Sequence, residues 1–120
     1  MHRQVWVKVN AEVDEGVADL VGILSAVPGL RTVESCQGTP KGREPAFVTF
    51  CYGRHWRELS WFVFAVIGPA LSQAFDCNVR VSIEFVGEDN STGTIEFDPT
   101  AKQKVSRAIR RAIRSLCPQR

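Results

Sequence analysis

The chain has 120 residues, of which 44% are hydrophobic and 23% are charged, a composition typical of a globular protein. It excludes disordered, collagen-like and coiled-coil proteins, and the length predicts a single domain over residues 1–120. The net charge of +2 is unevenly divided: residues 100–120 carry seven Lys or Arg and no acid, whereas residues 1–99 carry eight against thirteen. An acidic body with a basic end indicates either an anionic partner for that end or the acidic body itself as its partner.

The first half of the chain predicts three strands and one helix. Apolar and polar residues alternate over residues 5–13, which indicates a half-buried strand. Asp14 is placed to cap a helix whose apolar residues have helical spacing and which Pro28 and Gly29 should end: Val17, Leu20, Val21 and Leu24. Two strands follow, over residues 30–36 and 46–52, and the second is apolar on both faces, as expected of a central strand.

The second half predicts two helices and two strands. Residues 55–75 show helical apolar spacing, and we expect Gly68 and Pro69 to kink or break this helix. Residues 79–85 alternate as a strand, a polar loop follows, and residues 94–97 return as a short strand. The last helix begins after Asp98 and Pro99.

The element order β-α-β-β-α-β-β-α predicts an α+β protein with a ferredoxin-like β-α-β-β-α-β core, an added fifth strand and a C-terminal helix. The expected sheet order is 5-4-1-3-2, with the helices on one face. The other face should be open to solvent, because the residues assigned to it are too polar for burial: Trp6, Lys8, Asn10, Arg80, Ser82 and Glu84.

The last helix carries a cluster of like charges opposite its apolar stripe. At 100° per residue, one sector contains Arg107, Arg110, Arg111 and Arg114. Like charges at this spacing repel, so they do not stabilise the helix, whereas guanidinium groups suit phosphates well. Two interpretations remain open: contact with an anion or a nucleic acid, or a solvated face paired with acidic residues of the hairpin, Glu84, Glu88 and Glu96.

The predicted open sheet carries a second candidate site. Residues 43–50, REPAFVTF, resemble the third-strand octapeptide of the RNA recognition motif family at Arg43, Ala46, Phe47, Val48 and Phe50. Residues 5–7, VWV, resemble the aromatic first-strand motif of that family. The resemblance implies RNA recognition, with Trp6 and Phe47 as base-stacking aromatics on adjacent strands.

A third candidate lies at the loop of residues 35–45. Residues 32–38, TVESCQG, resemble a segment of the tRNA wybutosine-synthesis methyltransferases, T-x-S-S-C-S-G-R, at Thr32, Ser35, Cys36 and Gly38. The resemblance implies S-adenosylmethionine and a modified tRNA guanosine as ligands. From the residues alone, Ser35, Cys36 and Gly38 could present a hydroxyl, a thiol and backbone N–H groups to a small ligand, or could form a structural turn with a half-buried thiol.

Catalytic and metal chemistry are weakly indicated. The candidate bases are His2 and His55, and a Cys36–His55 dyad is conceivable, so enzymatic activity stays open. No Cys or His pair has metal-ligand spacing, and we expect neither a metal nor a cofactor. The cysteine usage predicts a reducing cytoplasmic environment, the N-terminus predicts no secretion, and residues 61–71 are too short an apolar stretch for a membrane span.

These observations favour a non-catalytic module that binds RNA or another polyanion. The arginines of the last helix would supply the electrostatic attraction, and Trp6 and Phe47 the stacking. The alternatives are a small-ligand or enzyme-like site at the loop of residues 35–45, and a structural or regulatory module that dimerises through its sheet or its basic helix.

Overall fold

The computed structural model describes residues 17–39, 44–72, 79–87 and 90–116, together with the backbone of two short strands, β1 (Gln4–Trp6) and β2 (Glu12–Asp14). The fold is α+β. The other elements, in chain order, are α1 (Ala18–Ser25), β3 (Leu30–Cys36), β4 (Ala46–Tyr52), α2 (Trp56–Trp61), a π-helical segment (Phe62–Ile67), α3 (Gly68–Leu71), β5 (Arg80–Glu84), β6 (Thr92–Phe97) and α4 (Lys102–Leu116).

The main sheet has four antiparallel strands in the order β3-β4-β6-β5. The predicted bounds of β3 and β4 are confirmed, as is the interior position of β4. Strand alternation turns Val48, Phe50, Ile95 and Phe97 towards the helices, where each is at most 1% exposed. The residues of β5 predicted to lie on the open face are exposed: Arg80, Ser82 and Glu84.

The predicted strand order 5-4-1-3-2 differs from the observed one. β6, the predicted fifth strand, pairs with β4 on one side and β5 on the other, and so takes the central place expected for the first strand. Its alternate residues Gly93, Ile95 and Phe97 are buried, which suits an interior strand. The edge position expected for it therefore belongs to β5.

The predicted first strand over residues 5–13 is also wrong as a single strand. Gln4 pairs with Asp14 and Trp6 with Glu12 in an antiparallel two-stranded sheet, so the chain reverses between them. Asp14 consequently lies at the end of β2 rather than at the start of a helix, and α1 begins at Ala18. Lys8 and Asn10, assigned to the open face, lie outside the described residues.

The core lies between the sheet and the helices that cover one of its faces. The predicted apolar residues of α1 are confirmed as buried: Val17, Leu20, Val21 and Leu24. α4 packs against α1 and against α3, and its residues Val105 and Ile109 are fully buried. An edge-to-face pair of Phe50 and Phe62, with ring centroids 5.9 Å apart, joins β4 to the π-helical segment.

The helix predicted over residues 55–75 was expected to kink or break at Gly68 and Pro69, and it is not broken there, since residues 56–71 are helical throughout. Pro69 has no N–H and its ring crowds the carbonyl four residues earlier, so the turn before it cannot keep the α-helical ladder. The backbone instead widens into the π-helical segment, in which the Gly68 N–H donates to the Val63 carbonyl five residues earlier. The helix then continues to Leu71.

The register of β3 and β4 keeps the two described cysteines apart. Cys51 pairs with Arg31, and Cys36 pairs with Phe47, one residue from Ala46, the partner that the register at Arg31 would give if it continued without interruption. A bulge between Thr32 and Glu34 accounts for the offset of one residue. Both thiols are free.

Candidate nucleic-acid interface

The start of α4 is set by Asp98 and Pro99, as predicted. Asp98 Oδ1 accepts hydrogen bonds from the Thr100 hydroxyl at 2.7 Å and from the Thr100 N–H at 2.8 Å. These two bonds lower the pKa of the Asp98 carboxyl below its ordinary value, and the bond from the hydroxyl contributes more than the bond from the N–H. Pro99 opens a 3₁₀ turn that leads into α4 at Lys102, so the helix starts in a defined orientation.

The predicted sector of arginines points away from the core. Because Val105 and Ile109 are buried in the core, the four arginines of the sector lie on the outer side of α4, and all are exposed: Arg107, Arg110, Arg111 and Arg114. Arg110 differs from the rest, since its Nη2 lies 3.4 Å from Asp19 Oδ1 of α1. Within the described residues, the other three have no ion-pair partner, and we call them the arginine face.

The acidic hairpin does not neutralise this face in the described chain. Glu84 and Glu96 lie on the open side of the sheet, opposite the helices, and Glu96 Oε1 is 3.6 Å from Arg80 Nη1. Glu88 lies outside the described residues. An ion pair that α4 forms within the described residues is that between Arg110 and Asp19, which the sequence did not predict because the two residues are 91 positions apart.

A groove runs beside the arginine face, between α4 and the helix that ends at Leu71. Its volume is about 400 Å³, and its walls consist mainly of small and apolar residues, with one arginine: Ala65, Val66, Pro69, Ala70, Ala108, Arg111, Ala112, Ser115 and Leu116. Because the alanines on both walls have short side chains, a space remains between the outer surfaces of the two helices. Arg111 therefore belongs both to the arginine face and to the groove.

Exposed aromatic rings lie on the helix that forms the far wall of this groove. Phe64 is 69% exposed and Trp61 is 47% exposed. Trp61 precedes Ala65 of the groove wall by about one helical turn, and Phe64 directly precedes Ala65 in the chain. Residues 59–72 contain no charged side chain, so the outer surface of this helix is largely apolar. We call Trp61, Phe64, Ala65 and Pro69 the aromatic patch.

The structure does not bring Trp6 and Phe47 together on one sheet. β1, which contains Trp6, pairs with β2 in a separate two-stranded sheet, and the Trp6 side chain lies outside the described part of the chain. Phe47 is half-buried on the open sheet face, next to Cys36 and Glu96. It therefore lies on the side of the sheet opposite the arginine face. The predicted combination of Phe47 with the four arginines is not one continuous surface.

Two hydrogen bonds between Thr39 and Glu44 join the described parts of the loop at residues 35–45. The Thr39 N–H donates to the Glu44 carbonyl and the Glu44 N–H to Thr39 Oγ1, both at 3.0 Å. Gly38 is buried, and its N–H donates to Cys36 Sγ at 3.4 Å. Residues 40–43, including Arg43 of the octapeptide resemblance, lie outside the described part.

The loop residues predicted to meet a ligand do not converge. Ser35 pairs with Val48 and Cys36 with Phe47, so their side chains point to opposite faces of the sheet. Cys36 and His55 also lie at opposite ends of β4, separated by about 20 Å of strand, so they cannot form a catalytic dyad. His55 instead caps α2, because its Nδ1 accepts the Arg57 N–H at 3.2 Å.

Another concavity, of about 430 Å³, lies where β6 leads into α4. Its charged residues already have partners within the protein: Arg80 pairs with Glu96, and Asp98 accepts both hydrogen bonds from Thr100. Among the residues that the structure describes, no group of three His, Cys, Asp or Glu could hold a metal ion. The search of the same residues for a helix that could span a membrane finds none.

The arginine face and the aromatic patch thus meet at the groove, which Arg111, Ala65 and Pro69 line. Sequence periodicity identified the arginines, and it left Trp61 and Phe64 outside the predicted apolar stripe of residues 55–75 without assigning them a role. Comparison with known protein families, with curated proteins and with solved structures finds no match to this chain.

Proposed function

We propose that this chain is a non-catalytic module that binds RNA through the arginine face of α4. The observation that carries the proposal is the state of Arg107, Arg111 and Arg114, which are exposed and have no ion-pair partner within the described residues. Three guanidinium groups along about 10 Å of helix repel one another, and an anionic ligand would relieve that repulsion. Guanidinium forks also match phosphate oxygens in geometry.

The charge distribution along the chain supports the same proposal. Residues 100–120 carry seven Lys or Arg and no acid. Arg110, which pairs with Asp19 of α1, does not belong to the arginine face. The choice of RNA follows a separate argument, the resemblance of β4 to the RNA recognition motif octapeptide at Ala46, Phe47 and Val48. Free thiols at Cys36 and Cys51 favour a reducing compartment, and we propose the cytoplasm.

The test is a matched pair of charge-removal variants. Arg107, Arg111 and Arg114 are replaced together by Gln, and the control replaces Arg31, Arg54 and Arg80, which are exposed elsewhere. Both variants lose three positive charges. Affinity for a labelled single-stranded RNA is measured by fluorescence anisotropy from about 50 mM salt upwards, because electrostatic binding is strongest at low salt.

We expect the arginine-face variant to lose RNA affinity and the slope of log affinity against log salt to flatten by about 2, at about 0.7 per phosphate contact on a single strand. Its melting temperature should stay unchanged or rise, because like-charge repulsion is relieved. The control should keep the slope of the unmodified chain. Absence of binding at 50 mM salt, or an equal loss in both variants, contradicts the proposal.

A further inference from the structure

The aromatic patch is an apolar surface that the fold leaves uncovered. Two large rings, Phe64 and Trp61, are 69% and 47% exposed on the outer side of a helix whose inner side forms the core. The centroid of the Trp61 ring lies 6.2 Å from that of Tyr52, so its outer part alone is free, whereas Phe64 is the more exposed ring. Large exposed rings beside an apolar groove are candidates for a binding surface in a globular protein. The π-helical segment that contains Phe64 is itself a feature frequent at functional sites.

The patch lies against the arginine face. Ala65 and Pro69 form one wall of the groove, and Arg111 lies on the α4 side of the same groove. Across this surface the order is therefore aromatic rings, an apolar groove, and then unpaired guanidinium groups. Residues 59–72 and α4 contain no acidic residue, and within the described residues Arg111 on the α4 side of the groove has no ion-pair partner.

We infer that the aromatic patch is a stacking platform for the bases of single-stranded RNA whose phosphates contact the arginine face; the inference rests on the function proposed above. Every base has an aromatic face, and proteins that bind single strands combine a positive groove with rings on which bases stack. In a duplex, those base faces are occupied by neighbouring bases. The surface should therefore prefer single strands to duplexes and show little sequence preference.

A second copy of the chain is the other occupant that an apolar patch could take. It suits this surface less well, because a copy that docks through the same surface brings no acidic side chain to the uncompensated arginines. A single-stranded RNA supplies phosphates to the arginines and bases to the rings. Self-association is therefore an outcome that the experiment must be able to detect.

The experiment compares Phe64→Ala and Phe64→Trp with the control Phe85→Ala, which removes a ring 62% exposed outside the patch. Because Phe64 is mostly exposed, its truncation should leave the fold intact, and the Trp variant retains a stacking ring. Each protein is titrated with a twelve-nucleotide single strand and with a blunt duplex of equal length, and its mass in solution is measured by light scattering.

We expect Phe64→Ala to weaken single-strand binding about 5- to 150-fold, with an unchanged salt slope, because a stacked base is lost and no phosphate contact is. Phe64→Trp and Phe85→Ala should bind as the unmodified chain does. The unmodified chain should bind the duplex more weakly than the single strand. Phe64→Ala should bind the duplex as tightly as the unmodified chain does.

The outcomes separate this inference from the proposed function. If the arginine-face variant loses binding and Phe64→Ala does not, or if duplex binds as tightly as single strand, the stacking inference is wrong while the arginine proposal stands. If the unmodified chain binds no RNA, both fail. If Phe64→Ala instead converts a dimer into a monomer without a change in RNA affinity, the patch is a self-association surface and the inference is overturned.

Discussion

Gly38 shows how a residue selected for one reason in the sequence has another role in the structure. Its position after Ser35 and Cys36 suggested a ligand loop. In the fold its φ is +74°, and a Cβ atom there would lie 2.5 Å from the Glu44 carbonyl oxygen and 2.8 Å from the Ala46 N. Because it has no Cβ, Gly38 lets the two ends of the loop approach each other. This approach involves the backbone of Glu44 and Ala46, six and eight positions further along the chain.

Gly38→Ala should lower the free energy of unfolding by about 1–3 kcal/mol, because a side chain is strained at positive φ and this one would also push the backbone at Glu44 away. Urea denaturation measures the change. Gly87→Ala is the control: no atom lies within 4 Å of the added Cβ, and we expect a change within about 0.5 kcal/mol. Equal stabilities of the two variants would refute this structural role.

At the scale of elements, the sequence predicted the cap before α4 but not that of α1, which was expected at Asp14, a residue that ends β2. Asp98 caps the turn before α4 as predicted, because a cap depends on residues two or three positions apart. At α2, the pattern of residues 55–75 indicated a helix but not its cap, in which Glu58 Oε1 accepts the His55 N–H at 3.2 Å. The π-helical segment was missed as well, because Pro69 shows that the α-helical hydrogen bonds must change near it but not that the backbone widens instead of breaking.

Asp98 gives α4 a testable pH dependence. Its pKa is lowered in the folded chain, so the ionised carboxylate stabilises the fold above its unfolded pKa of about 3.9, and this contribution is lost as the pH falls through the lower folded value. The stability advantage of the unmodified chain over Asp98→Asn should therefore be constant above about pH 5 and shrink below about pH 4. Urea midpoints measured across this range check the prediction.

Thr100→Val serves as the companion variant, since it removes the hydroxyl that contributes most to the lowered pKa. The pH-dependent part of the stability should be smaller in that background. An advantage over Asp98→Asn that does not change between about pH 3 and pH 6 would show that the carboxylate charge has no part in the cap.

At the scale of the whole molecule, the sheet separates two surfaces that the sequence analysis had combined. Helices cover one face, and the arginine face and aromatic patch lie on their outer side. Phe47 lies on the other face, beside a central hydroxyl pair in which Thr49 Oγ1 and Thr94 Oγ1 are 2.9 Å apart. That pair is a direct consequence of β4 lying next to β6, the strand neighbour that was not predicted.

An engineered disulfide can test this strand order. In a background with the four cysteines replaced by Ser, Thr49→Cys with Thr94→Cys should form an intramolecular disulfide under mild oxidation, because the two residues are cross-strand partners. Mass spectrometry of a proteolytic digest identifies the linked peptides. Thr49→Cys with Ser82→Cys is the matched control: Ser82 lies one strand further away, about 10 Å across the sheet, and should not form the bond. A link in the control alone would contradict the order.

By itself, the sequence determined the features that depend on near neighbours: the bounds of β3 and β4, the cap at Asp98, the outward sector of arginines and the α+β class. Those features follow from periodicity and from contacts within a few positions. Only the tertiary structure decided that β6 lies between β4 and β5, that Asp19 pairs with Arg110, and that Phe64 stays outside the core. Each of these depends on residues distant in the chain, and an apolar side chain on a helix carries no local sign of whether another element will cover it.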